Sequence, residues 1–126
     1  MPTPKQIIRD WIEAYNHRDA DALAACYRQE AGLALIHHGG GARGREAVAR
    51  LLIDRFATPF GPLQAEVCVA EGAWLALEWS VSAGLKGCDM LHIQTGKIHF
   101  HRRFCDSRVL QDLERRAAIP VAGETG

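Results

Sequence analysis

The chain has 126 residues, room for one domain and too little for two. Hydrophobic residues make up 48% and charged residues 24%, which excludes disorder over most of the length, because burial can offset the entropy of ordering. Fifteen basic and fifteen acidic residues cancel, so the chain lacks the cationic surplus expected of a nucleic-acid binder or of a protein drawn to anionic lipid. Residues 4–17 open the structure with Ile7, Ile8, Trp11, Ile12 and Tyr15 at the three- and four-residue spacing of one helix face. Asn16-His17-Arg18-Asp19 breaks that pattern, and Asp19 is suited to cap a second short helix through Leu23, Ala24, Cys26 and Tyr27.

After Glu30 the pattern changes. Leu33 to Ile36 reads as a buried strand that closes on His37-His38 and the glycines 39–41. Gly44 precedes a third helix with Val48, Leu51, Leu52 and Phe56 on one face, ended by Pro59 and Pro62. The second half is strand-like: 65–70, a turn at Glu71-Gly72, 74–82, a turn at 84–87, 89–94, a turn at 95–97, and 98–105. These strands predict an antiparallel meander. Ser107 would cap a last helix using Val109, Leu110 and Leu113, and residues 119–126 are expected to form a disordered tail beyond a single domain of 1–118.

Helices followed by a meander define an α+β fold with helices on one sheet face. Along 74–82 both faces carry large apolar groups. The row Leu75, Leu77, Trp79 and Val81 is expected to need a second cover, which a homodimer packed through the sheet would supply. No stretch is long and apolar enough to span a bilayer, and residues 1–9 lack the apolar core of a signal peptide. Cys26, Cys68, Cys88 and Cys105 have no CxxC spacing, and a reduced, cytoplasmic protein without a cofactor is expected.

The phrases Trp11-Ile-Glu-Ala-Tyr-Asn-His-Arg-Asp19, Ala22-Leu23, Cys26-Tyr27, Gly44-Arg-Glu-Ala-Val48, Asp89-Met-Leu-His-Ile93, Gly96-Lys97-Ile98 and Phe104-Cys-Asp106 together resemble the nuclear-transport-factor-2-like (SnoaL-like) superfamily in order and spacing. The resemblance implies a cone-shaped fold, in which helices cover the concave face of a curved antiparallel sheet and enclose a pocket for a small hydrophobic molecule. It implies pairing through the convex face. It also implies that Trp74, Ala76, Glu78, Ser80, Asp89, Leu91, His99, His101 and Arg103 point into the pocket, with Trp11 and Tyr15 added from the first helix.

The superfamily includes ketosteroid isomerases, polyketide cyclases, epoxide hydrolases and non-catalytic modules. Asp89 matches the isomerase aspartate that donates to an oxyanion, and burial would keep such a carboxyl protonated; the other reading is an aspartate, frequent in the family, that only bonds a neighbouring group. The isomerase base falls near Leu35 and its tyrosine at Trp11, while the epoxide-hydrolase aspartate falls at Arg103. The chemistry available is therefore a different set. His99 and His101 would be the acid and base, Glu78 and Asp89 would orient them, and Arg103 would hold a developing oxyanion. His99-x-His101 with Glu78 or Asp89 would also suit zinc, although no metal is adopted in this reading. The expected function is proton transfer on a small carbonyl compound, giving isomerisation, cyclisation or dehydration. The alternative is a non-catalytic ligand-binding or assembly module, with the polar residues satisfying one another.

Overall fold

In a computed structural model, residues 1–125 are described, with side chains as far as Arg116. The elements are α1 (Pro4–Asn16), α2 (Ala20–Ala25), β1 (Tyr27–Ile36), β2 (Gly41–Arg43), α3 (Arg45–Leu52), a π-helical turn (Ile53–Ala57), α4 (Thr58–Phe60), β3 (Leu63–Glu71), β4 (Trp74–Val81), β5 (Lys86–Gln94), β6 (Lys97–Cys105) and α5 (Ser107–Thr125). The tail expected at 119–126 begins within α5 and ends, at Gly126, outside the described residues.

The helices start where the chain can satisfy their free amides. Thr3 Oγ1 accepts from Gln6 N, and Gln6 Oε1 accepts from Thr3 N, a reciprocal cap on α1. Asp19 caps α2 as expected, accepting from Ala22 N at 3.0 Å. The second helix stops at Ala25, however, so Tyr27 is not helical but opens β1, which is far longer than the short strand read from the sequence. Pro59 cannot donate to the carbonyl four residues before it. The helix widens ahead of it into the π turn, where Thr58 N bonds back to Ile53 O. The cap on α5 is Asp106 rather than Ser107, its Oδ1 accepting from Arg108 N and Val109 N.

One curved sheet runs β2-β1-β6-β5-β4-β3. The four-strand meander is as expected and every pair is antiparallel except β1 with β6, which run parallel. The register decides which residues share a face, because directly opposed residues lie on the same side. Leu77 faces Asp89, Asp89 faces Arg103, and Leu75 faces Leu91, which faces His101. Those residues, together with Trp79, Val81, Leu33 and Leu35, are buried beneath α1 and α3. This overturns the face assigned to β4. Leu75, Leu77, Trp79 and Val81 belong to the core, and Trp74, Ala76, Glu78 and Ser80 point outward. The wholly apolar row went inside because only that row can pack on the helices without stranding a charge.

Two ties fix the layers. Asn16, at the end of α1, bonds both backbone groups of Leu63 at the start of β3, at 3.0 and 2.8 Å. Leu110 of α5 is buried in the core, and Arg55 Nε meets Glu114 Oε2 at 3.1 Å. Gly87 is required by close approach, since a Cβ there would lie 2.3 Å from the Trp79 ring and 2.6 Å from Phe104 O. Gly32 is freer: its nearest neighbour would be the Phe100 ring at 3.6 Å. Gly87→Ala should therefore destabilise by about 1–3 kcal/mol in urea titration, and Gly32→Ala should stay within about 0.5 kcal/mol of the parent.

Candidate functional site

The sheet's inner face presents a connected set of buried polar groups. Asp89 comes from β5 and His101 and Arg103 from β6, and all three are 0% exposed. The Arg103 guanidinium grips Asp89 with two bonds, Nη2 to Oδ2 at 2.8 Å and Nε to Oδ1 at 3.0 Å. Trp79 Nε1 donates to the same Oδ1 at 3.0 Å, and Arg103 Nη1 donates to Tyr15 Oη at 3.2 Å.

A second chain of bonds reaches the cluster from α1. Trp11 Nε1 donates to Tyr27 Oη at 2.8 Å, and Tyr27 Oη lies 2.7 Å from His101 Nδ1. An indole nitrogen only donates, so the tyrosine must spend its own hydrogen on Nδ1. That leaves the proton of a neutral His101 on Nε2. This nitrogen lies 3.1 Å from Asp89 Oδ2, but the angle is too poor for a formed hydrogen bond and Nε2 has no other partner. The contact is an attraction between the ring N–H and the carboxylate, weaker than the arginine fork.

The charges follow from these contacts. Burial by itself would raise the Asp89 carboxyl, but Arg103 and then His101 outweigh it and hold the group well below the usual carboxylate range. Burial would lower Arg103, and Asp89 more than reverses that. For His101 burial wins over the pull of Asp89, its pKa is lowered below the ordinary histidine value, and the ring is neutral at pH 7. Burial also raises the phenols of Tyr15 and Tyr27. The expectation of a protonated, oxyanion-binding Asp89 is therefore overturned, because the carboxylate is ionised and spent on Arg103.

Of the predicted residues, the structure brings together Asp89, His101, Arg103, Trp11, Tyr15 and Leu91. It separates Glu78, His99, Trp74, Ala76 and Ser80, which lie on the opposite face. His99 is displaced by a bulge: Ile93 pairs with Ile98 and His92 with Phe100, leaving His99 as the extra residue. Its ring meets His92, with the two Nδ1 atoms 3.3 Å apart. This parts His99 from His101 and removes the zinc pairing. Among the described residues no group of three His, Cys, Asp or Glu side chains is placed to hold a metal.

Sequence reasoning missed Tyr27, Trp79 and Phe56 as members of this cluster. Tyr27 was hidden by its helical reading, and Trp79 by the inverted face of β4. His38, where β1 closes on the glycines, has a half-buried ring with Nε2 2.9 Å from Cys105 Sγ. That pair stays protonated at the sulfur, because burial pushes the Cys105 thiol up to about 11 and lowers His38. All four cysteines are free. At the end of the sheet a hollow of about 710 Å³ is lined by His37, Glu66, Glu78, Lys86, Cys88 and Phe104 among others.

The chain belongs to the SnoaL-like domain family, whose model matches residues 8–101. Among solved structures it is similar to an NTF2-like protein of Cytophaga hutchinsonii, with 15% identity, TM-score 0.74, and coverage of 87% of this chain and 96% of that one. It is also similar to an LEH-like epoxide hydrolase of M. tuberculosis (18%, TM-score 0.68, covering 92% and 93%). A putative ketosteroid isomerase of Kribbella flavida is comparable (17%, TM-score 0.67, covering 80% and 76%). At these identities the likeness establishes the fold and leaves activity aside. Comparison with curated proteins finds no match. No helix among the described residues is long and apolar enough to cross a membrane.

The network makes stability pH-dependent with a definite sign. A carboxyl whose folded-state value is lowered contributes stability that is complete above its unfolded value of about 3.9 and is lost as pH falls toward the folded one. His101, also lowered, adds a loss that begins below about 6.5, and the less buried His38 adds to it in the same direction. The urea midpoint should fall in two stages on acidification, the first blunted in His101→Gln and the second in Asp89→Asn. At pH 7 Asp89→Asn should cost about 3–5 kcal/mol, since it leaves a buried guanidinium without its counter-charge.

Proposed function

We propose that this SnoaL-like chain is an assembly module that pairs with a second copy of itself through the outward face of its sheet. In this reading the Asp89–His101–Arg103 cluster holds the fold together and performs no acid–base chemistry. The observation that carries it is how the cluster's bonds are spent. Asp89 is ionised and takes the Arg103 fork plus the Trp79 donor, and His101 Nδ1 is occupied by Tyr27. A general base needs a free lone pair within reach of the substrate.

The outward face supplies the positive argument. Cross-strand rows run Glu71, Trp74, His92, Phe100 and Val69, Ala76, Met90, Arg102. Val69 is 58% exposed, Trp74 45%, and Met90 and Phe100 37% each, next to Val67. A contiguous apolar patch of this kind marks an interaction surface. Acidic Glu71 and Glu78 lie toward β3 and β4, and Arg102 lies on β6, so a two-fold axis through Met90 would bring opposite charges together. Light scattering should find a dimer, and Met90→Glu should weaken it by about tenfold or more while the far-ultraviolet circular dichroism stays unchanged. A parent chain that remains monomeric at its highest soluble concentration would refute the proposal.

A second reading is favoured by the hollow at the sheet end, where Glu78 and His37 share a wall with Phe104. There a small carbonyl compound would have a carboxylate and an imidazole beside it. Thermal-shift screening of aromatic and polyketide-like carbonyl compounds tests this reading. A stabilisation lost in Glu78→Gln supports it, and no shift with any compound removes it.

A further inference from the structure

The surroundings of the Arg103 side chain are those of a bound cation rather than of an ordinary ion pair. Its guanidinium carbon lies 4.6 Å from the centre of the Trp79 ring, 4.7 Å from Phe56, 5.4 Å from Tyr15 and 5.9 Å from Trp11. Each distance is within the range at which a ring face attracts a cation. The rings come from three separate places in the chain: α1, the π turn and β4. The one carboxylate, Asp89, meets one edge of the guanidinium through Nε and Nη2, and the Tyr15 hydroxyl accepts from the third nitrogen, Nη1. A salt bridge needs only the carboxylate. Four rings, a carboxylate and a phenol oxygen together describe a recognition site for a planar guanidinium.

We propose that the interior of this domain is a guanidinium-binding cage occupied by the protein's own Arg103, which acts as a tethered ligand. Removing the tether uncovers a site for free alkylguanidinium ions. The chemistry of the cage defines the class. The ligand is a planar monocation with several N–H donors and a short apolar stem, matched to four surrounding rings and an anion at its edge. Ammonium ions lack the flat shape, and neutral ureas lack the charge. The inference is independent of pairing through the outward face, since every group in it is buried on the other side of the sheet.

Arg103→Ala deletes the atoms of ethylguanidinium beyond Cβ, so that compound is the matching probe. The variant should lose about 5 °C or more in Tm, because it leaves Asp89 unpaired in a buried cavity. Millimolar ethylguanidinium chloride should restore at least about half of that loss along a saturating curve, as expected for a ligand that binds only the folded state. Ethylurea, ethylammonium and potassium chloride at the same concentrations should not. The parent chain, already filled, should not respond, and Arg103→Ala combined with Asp89→Asn should lose the response.

A folded Arg103→Ala that ignores ethylguanidinium overturns the proposal, as does one that responds equally to ethylurea or to salt. If Arg103→Ala does not fold, refolding yield becomes the readout: recovery with ethylguanidinium alone supports the cage, and no recovery overturns it. Arg103→Met gives an independent check. A methionine variant as stable as the parent would mean that the rings need only bulk, and it too would overturn the proposal.

Discussion

The pairing of Asp89 with Arg103 is the constraint on which the rest of this molecule depends. Taking a carboxylate and a guanidinium fully out of water costs several kcal/mol for each ion, and attraction between them repays this only with good geometry and further bonds. Here the further bonds are explicit. Trp79 donates to the carboxylate, Tyr15 accepts from the guanidinium, and four rings face the cation. Every one of those groups belongs to a different strand or helix from Arg103. The pair is therefore tolerable only in the finished fold, when α1, the π turn, β4, β5 and β6 are all in place. This makes it a poor source of raw stability and a strong selector of one arrangement.

Register shows how that selection works. A one-residue slip of β6 against β5 would turn Arg103 outward and bring Arg102 or Phe104 in, leaving Asp89 with no counter-charge. The bulge at His99 makes such an error easy to imagine, because it already reverses the alternation near the 95–97 turn. Arg103, Asp89 and the Tyr27–His101 bond pin the strand on the far side of the bulge, where His101 again faces inward. The Trp11–Tyr27–His101 chain extends the same logic to β1, the parallel neighbour, whose own alternation shifts between Tyr27 and Gly32. The polar network thus sits where two irregular strands most need a fixed register.

The same feature explains what the sequence made legible. Helix spacing in α1, the Asp19 cap, the start of the third helix and the meander follow from local periodicity, and the structure agrees with them, although helical structure runs on through Pro59, expected to end it, as far as Phe60. Asp89, His101, Arg103, Trp11 and Tyr15, which the family resemblance implied would share one inner surface, lie together beneath the helices. The error on β4 was one of partner. Alternation identifies two faces of a strand, but only pairing tells which face meets Asp89, and the turn at 84–87 sets that pairing through the backbone. The row Leu75, Leu77, Trp79 and Val81 did contain the answer, being the side with no polar residue. Glu78 was drawn inward by resemblance to pocketed relatives, against the cost of burying it. Tyr27 and the bulge at His99 left no comparable local signal, because each depends on which distant strand lies alongside.

Parity also separates two physical roles within one sheet. Odd-numbered positions of β4, β5 and the end of β6 build a sealed interior whose charges, donors and rings are matched to one another. Even-numbered positions leave Trp74, Met90, His92 and Phe100 in rows open to solvent, with acidic residues toward one edge and Arg102 toward the other. With Arg103 and its partners filling the helix side of the sheet, the outward rows are its accessible apolar surface among the described residues. In the proposed pairing, side chains that project from strands locked in register by a buried ion pair would be pre-positioned, so a second copy docking on them would lose less freedom than on a softer sheet.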